Sequence, residues 1–147
     1  MKLLLCFLFF SMALIENGNE IVLNKPVPKD AKIVDNKRLS LIMTSAGSLL
    51  PSEEIKLNNV TFQVVLDSKN NVSFVTTFDK AFQLRNGIKI GDTYVKIKNK
   101  LQKGIYEPGF SYYFKSNSNW YISFLDDHIL KNNKIADTCK VKSFFKR

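Results

Sequence analysis

Alternating apolar and polar residues mark the middle of the chain as β-structure. Residues 59–66 (NVTFQVVL) and 72–78 (VSFVTTF) place apolar side chains at alternate positions and are rich in β-branched and aromatic residues, which favour strands. The polar residues 67–71 between them are typical of a turn. The pattern therefore predicts a β-hairpin over residues 59–78.

Further extended runs follow in the C-terminal third. Residues 110–115 (FSYYFK) and 119–125 (NWYISFL) are strongly aromatic, and the SNS tripeptide between them is a short turn. Residues 126–133 are polar and predict another turn, after which residues 135–145 form a last strand. Short polar connections join neighbouring strands in an antiparallel sheet, so these runs predict a three-stranded meander.

The N-terminal part has a weaker pattern. Residues 38–44 (RLSLIMT) alternate and predict a strand. Pro28 can open a short helix through Lys32 or Ile33, because proline suits the first helical position. Residues 49–54 (LLPSEE) leave two interpretations open, one helical turn or a loop.

A helix is predicted between the hairpin and the meander, within residues 86–104 (NGIKIGDTYVKIKNKLQKG). Its apolar stripe is Tyr94, Ile97 and Leu101, at spacings of three and four, with lysines on the other faces. The segment is bounded by two turns, an N-cap and a stop, which are Gly87, Gly91, Asp92 and Gly104 in that order. We therefore expect this segment to organise the fold and carry no chemistry of its own.

These elements predict the α+β class, an antiparallel β-sheet (hairpin plus C-terminal three-stranded meander) packed against one or two short helices. Residues 21–27 and 88–94 share an apolar spacing before a predicted helix start. One alternative is therefore a duplication, with helix–meander halves at about 20–78 and 86–147.

The first residues have the composition of a signal peptide. Lys2 supplies a positive charge, and residues 3–15 are almost wholly apolar but shorter than the roughly 20 residues that a membrane span requires. We predict cleavage after Ala13, which leaves a single domain at 14–147 that is periplasmic or secreted and not an integral membrane protein. Cys6 lies too early in the apolar run to serve as a lipidation site.

The formal net charge is +9, which changes the list of partners only slightly. The basic residues are mostly lysines spread along the chain without an arginine cluster, so we predict no nucleic-acid partner. A general attraction to anionic surfaces, such as acidic lipid headgroups, is compatible with this charge.

The residues that could carry chemistry are few. Cys139 is the only cysteine after cleavage, and we interpret it as a small buried hydrophobe, with an intermolecular link as the alternative. His128 follows Asp126 and Asp127, but no second histidine or cysteine completes a metal site. We therefore predict a polar turn here, no metal and no cofactor, with a hydrolase that uses His128 as a remote alternative.

The aromatic residues of the meander are the most informative group for function. Because successive strand residues point to opposite faces, Tyr113 lies opposite Tyr112, and Trp120 lies opposite Tyr121. Both faces of the sheet therefore carry aromatic side chains. One interpretation is that one face stays exposed and binds a partner, since Tyr and Trp are frequent interface anchors; the other is that both faces are covered.

The hairpin sequence VVLDSKNNVSFVTTFD followed by GIKIGDTYVKIKNKL resembles small exported bacterial domains. This group includes the small lipoprotein of the outer-membrane β-barrel assembly machinery and domains like the β-lactamase inhibitor protein. The resemblance covers roughly residues 60–147 and implies an α+β fold with a non-enzymatic binding role. The chain departs from the first pattern in lacking a usable lipidation box, and from the second in lacking disulfides.

From the sequence we therefore expect an exported, non-catalytic protein-interaction module with a partner in the cell envelope or among secreted proteins. Its surface would be an aromatic sheet face, and the candidate binding residues are Tyr112, Tyr113, Trp120 and Tyr121. The alternative is a protein that binds a small ligand or an anionic envelope component.

Overall fold

An antiparallel sheet dominates the computed structural model, which describes residues 20–34 and 40–147. Its strands are β1 (Lys32–Ile33), β2 (Ser40–Ser45), β3 (Ser48–Leu57), β4 (Val60–Leu66), β5 (Val72–Thr77), β6 (Gly104–Glu107), β7 (Ser111–Lys115), β8 (Tyr121–Phe124) and β9 (Val141–Lys146). The helices are α1 (Tyr94–Ile97), which continues as a 3₁₀ turn (Lys98–Lys100), and α2 (Asp127–Asn132). The prediction of the α+β class is therefore confirmed in its general form, which is a mostly antiparallel sheet with few short helices.

The strands are ordered β1-β3-β4-β5-β9-β8-β7-β6, and β2 pairs with β3 beside this path. The hairpin β4–β5 and the meander β7–β8–β9 are therefore confirmed. The pairing of β5 with β9 joins the two into one sheet, with Thr76 opposite Phe145. Residues far apart in sequence thus share each face of the sheet.

The main core lies on one side of this sheet, which we call the first face. Trp120 is fully buried there and stacks against Phe62, with ring centroids 6.1 Å apart, while Phe82 approaches both rings from a loop. Ile97 of α1 and Ile129 of α2 join the same cluster. Burying one such large apolar side chain stabilises the fold by roughly 1.5–3 kcal/mol.

The opposite side, which we call the second face, carries a smaller cluster. Phe145 of β9 stacks on Phe74 of β5 and on Tyr121 of β8, with centroid distances of 5.8 and 5.0 Å. Tyr113 of β7 and Ile42 of β2 complete the contacts. The predicted aromatic alternation across both faces is therefore present.

The segment 49–54 belongs to β3, so neither a helical turn nor a loop is correct. Pro51 is compatible with this strand because β4 pairs with β3 only from Glu53 onward. At Pro51 one edge of the strand is unpaired, and proline is tolerated at such an edge. The short helix predicted from Pro28 is also absent, since its last residues form β1.

The helix before the meander is shorter than predicted. It begins after Thr93, whose side chain makes no capping hydrogen bond. Asp92, the predicted cap, instead accepts hydrogen bonds from the Lys89 N–H at 3.0 Å and from Lys96 Nζ at 2.8 Å. Burial would raise the pKa of Asp92, but the Lys96 and Lys89 hydrogen bonds outweigh it and hold the pKa below 3.8.

The glycine predictions have different outcomes. Gly87 and Gly91 adopt φ of +84° and +88°, so both turns are confirmed. Gly104 is not a helix stop, because the helical residues end at Lys100 and Gly104 opens β6. A Cβ at Gly104 would lie 2.6 Å from Cε1 of Phe114, and the Tyr112 ring occupies the same space. Glycine is needed here for close packing of aromatic rings.

Some predictions fall outside the described residues or stay untested. The signal peptide at 1–13 lies outside them, and the duplication into halves stays a prediction. Residues 126–133, expected as a turn, contain α2. Within 20–34 and 40–147, no helix combines the length and hydrophobicity that a membrane crossing requires.

We predict that Gly104→Ala destabilises the protein by about 1–3 kcal/mol, because the new methyl group overpacks the Phe114 and Tyr112 rings. Urea unfolding of Gly104→Ala, Phe114→Leu and the double variant measures the effect. The cost of the alanine should fall in the Phe114→Leu background, where the ring is absent. If Gly104→Ala lowers the free energy of unfolding equally in both backgrounds, the Phe114 ring is not the reason that glycine is required at position 104.

Candidate ligand pocket under the hairpin

The hairpin of β2 and β3 folds back over the second face. Ile42 of β2 packs in the second-face cluster, and the N–H of Ala46 at the hairpin tip donates to Glu107 Oε1 at 2.9 Å. Glu107 ends β6, at the far end of the strand order. The hairpin therefore bridges the second face from one end of the sheet to the other.

Glu107 fixes the tip of this bridge through several contacts. Its Oε2 accepts hydrogen bonds from Arg147 at 2.9 Å and from the Tyr113 hydroxyl at 3.2 Å. The Arg147 guanidinium also lies over the Tyr113 ring, 5.0 Å from its centroid. Burial raises the pKa of Glu107, but the Ala46 N–H and Arg147 outweigh it and hold the pKa below 4.5.

A pocket of about 260 Å³ lies between the hairpin and the second face. Phe74, Phe110 and Phe145 supply aromatic walls, and β2 supplies Leu41, Ile42 and Met43 along one side. Large apolar side chains at the pocket remain unusually exposed: Leu41 is 60% exposed and Phe78 51%. Space of this kind is suited to a small apolar molecule.

The pocket floor carries a row of hydroxyl groups, contributed by four adjacent strands. Ser143 of β9 pairs directly with Ser123 of β8, Thr76 lies on β5 and Ser111 on β7. All four residues are buried. Thr76 Oγ1 donates to the Phe144 carbonyl at 2.9 Å, whereas Ser111 Oγ has no hydrogen-bond partner among the described residues.

One cation lies beside this floor. Ser123 and Phe124 pair with Ser143 and Val141, so Lys142 is the extra residue of a β-bulge. A bulge redirects its side chain, and Lys142 lines the pocket. Lys142 takes part in none of the ion pairs found within 20–34 and 40–147.

The proposed aromatic surface is only partly accessible. Trp120 is 0% exposed and Tyr113 is 3% exposed, so neither can anchor a partner on the outside of the sheet. Tyr112 is half-buried on the first face beside Phe114, and Tyr121 is half-buried on the second face. A surface that combines Trp120 with Tyr113 is therefore wrong, because these two residues belong to different buried clusters.

Cys139 and His128 do not form a catalytic pair. The Cys139 thiol is buried and donates to Asp126 Oδ2 at 2.7 Å, while Asp126 Oδ1 caps α2 by accepting from the Ile129 N–H. Burial and the Asp126 carboxylate raise the pKa of the Cys139 thiol, which disfavours a nucleophilic thiolate. His128 is exposed and lies within reach of Asn132. No three potential metal ligands converge within the part of the chain that is described.

Sequence reasoning missed the hydroxyl row and Lys142. Ser111 and Ser123 were visible as the polar positions of aromatic strands, and Ser143 stands two residues before Phe145. Their common face follows from the strand period once the strand order is known. The bulge at Lys142 leaves no comparable signal in the sequence.

Neither protein-family models, nor curated proteins, nor solved structures give a match to this chain. The resemblance to exported lipoprotein and inhibitor domains therefore stays a prediction.

We predict that Glu107→Gln destabilises the protein by about 1–2 kcal/mol at neutral pH, since a hydrogen bond to a charged group is worth more than a neutral one. The folded pKa of Glu107 is lowered, so its ionised form contributes stability above about pH 4.5 that is lost as the pH falls through the folded pKa. The difference between wild type and Glu107→Gln in urea unfolding should therefore shrink in acid.

Glu53→Gln is the matched control, because Glu53 is exposed on β3 and its carboxylate takes part in no ion pair within residues 20–34 and 40–147. It should change stability little at either pH. A Glu107→Gln protein as stable as wild type at neutral pH would contradict the role of Glu107 in holding the hairpin tip.

Proposed function

We propose that this protein is exported and reversibly binds a small, largely apolar molecule in the pocket under the hairpin. The observation that supports this most is the composition of the pocket, which has aromatic walls, aliphatic β2 side chains and a floor of hydroxyls. Small-molecule sites typically combine an apolar lining with a few polar groups that orient the ligand.

The groups around the pocket favour binding over catalysis. The described lining contains hydroxyls, one amide and one lysine, but no carboxylate, imidazole or thiol. General acid–base catalysis most often uses an imidazole within hydrogen-bond reach of the substrate. The hydroxyls and Lys142 can orient a ligand through hydrogen bonds, which is the activity that these residues support.

The driving force would come from the exposed apolar side chains at the pocket. Leu41, Met43, Phe78 and Leu125 all retain large contact with water. A ligand that covers them gains about 25 cal/mol for each Å² of apolar surface removed from water.

A protein partner is the second candidate function. Leu49 is 57% exposed on β3 and lies opposite Met43 in the hairpin, outside the pocket lining. Neighbouring exposed apolar residues on one hairpin are typical of a contact surface. Capture from envelope extract by wild type and Leu49→Lys tests it, and loss of a partner with unchanged ligand binding would favour this candidate.

We predict that the protein binds the neutral fluorescent probe N-phenylnaphthylamine in a saturable manner, and that Ser123→Leu weakens binding roughly tenfold or more by filling the pocket. Probe fluorescence titration measures the affinity, and thermal unfolding followed by circular dichroism verifies that each variant is folded.

Ser68→Leu introduces the same side chain in the exposed turn between β4 and β5, away from the pocket, and should bind the probe as wild type does. Absence of saturable binding by the wild-type protein, or equal binding by a folded Ser123→Leu variant, would refute the proposed function.

A further inference from the structure

We infer that the ligand is an aliphatic carboxylic acid whose carboxylate lies beside Lys142 and whose chain occupies the apolar part of the pocket. This inference rests on the proposed function and specifies the class of molecule that the pocket accepts.

The position of Lys142 provides the first argument. The bulge between Val141 and Ser143 gives the lysine side chain a direction that regular pairing would not, and places it on the pocket lining. Lys142 belongs to none of the described ion pairs. A cation beside an apolar space, without an acidic partner, is complementary to an anionic head on an apolar ligand.

The hydroxyl row provides the second argument. Ser143 follows Lys142 in the chain, and Ser123 is the cross-strand partner of Ser143. Two hydroxyl hydrogen-bond donors therefore lie on the strands beside Lys142. Ser111 is 3% exposed and lines the same pocket, and its Oγ finds no hydrogen-bond partner within residues 20–34 and 40–147. An ionised carboxylate accepts several hydrogen bonds, and bonds to charged groups are the stronger kind.

The other residues that line the pocket indicate the size and the apolar character of the rest of the ligand. A volume of about 260 Å³ lies near the lower end of the range for small-molecule sites, which suits a short alkyl chain. Leu41, Met43 and Leu125 are aliphatic side chains that can adapt to a flexible chain. The single positive charge of one lysine balances one carboxylate, whereas a phosphate monoester carries a charge of about −1.5 to −2.

A matched pair of ligands tests the inference. Octanoate and octanol share their alkyl length, and at about pH 7.5 only the acid is charged. Each is titrated against bound N-phenylnaphthylamine with wild type, Lys142→Gln and Lys140→Gln. Lys140 is an exposed residue of the same segment and does not line the pocket, so its replacement removes the same charge elsewhere.

We expect octanoate to displace the probe from wild type and Lys140→Gln at roughly tenfold lower concentration than octanol does. Lys142→Gln should lose most of this preference, because octanoate displacement should weaken far more than octanol displacement does. Added salt should weaken octanoate and not octanol, because only the acid uses an ion pair.

Probe binding tests the proposed function, and the comparison of octanoate with octanol tests the acid ligand separately. If the probe does not bind wild type at all, the proposed function is wrong and this inference falls with it. If the probe binds but octanoate and octanol displace it equally, or if folded Lys142→Gln keeps the preference for the acid, only the assignment of an acid ligand is overturned.

Discussion

The central constraint on this fold is a sheet whose two faces both carry aromatic side chains. Water is excluded from the first face by loops and by Ile97 and Ile129, which close the cluster around Trp120. The second face is covered by the chain's own hairpin, through Ile42 and the contact of Ala46 with Glu107. Because two strands cannot cover a whole sheet face, a pocket remains beneath them.

This arrangement assigns different tasks to neighbouring residues on one strand. In β9, Phe144 belongs to the first-face core, Phe145 to the second-face cluster and Ser143 to the pocket floor. The same alternation in β8 directs Ile122 inward and Ser123 to the pocket. A single strand therefore contributes to stability and to the candidate site at the same time, and the bulge at Lys142 is the local departure that adds a charge.

The sequence was sufficient for the elements whose signal is local. The alternating runs predict β4, β5, β7 and β8, and they also predict aromatic residues on both faces. They do not predict which segments cover each face, because the covering residues lie far away in the sequence. Trp120, for example, is covered by Phe82 from a distant loop. β3 was missed because Pro51 argues against a strand unless the unpaired edge is known, and β6 because Gly104 mimics a helix stop.

The candidate site could not be predicted from the local sequence pattern, because it depends on contacts between residues that are far apart in the chain. It depends on the return of the hairpin tip to Glu107, a contact between residues 61 positions apart. The pocket residues come from β2, β4, β5, β7, β8 and β9 and from residues that flank them, and their convergence follows from the pairing of β5 with β9. The polar positions of single strands predict only that they face away from the core.

Methyl NMR of the protein during titration with N-phenylnaphthylamine tests the central claim most directly, namely that the space under the hairpin is a ligand site. The methyl signals of Leu41, Ile42, Met43 and Leu125 should shift together and saturate, while those of Leu84, Ile97 and Ile129 in the first-face core remain in place. Shifts confined to the first-face core, or no saturable shift at Ile42, would contradict it.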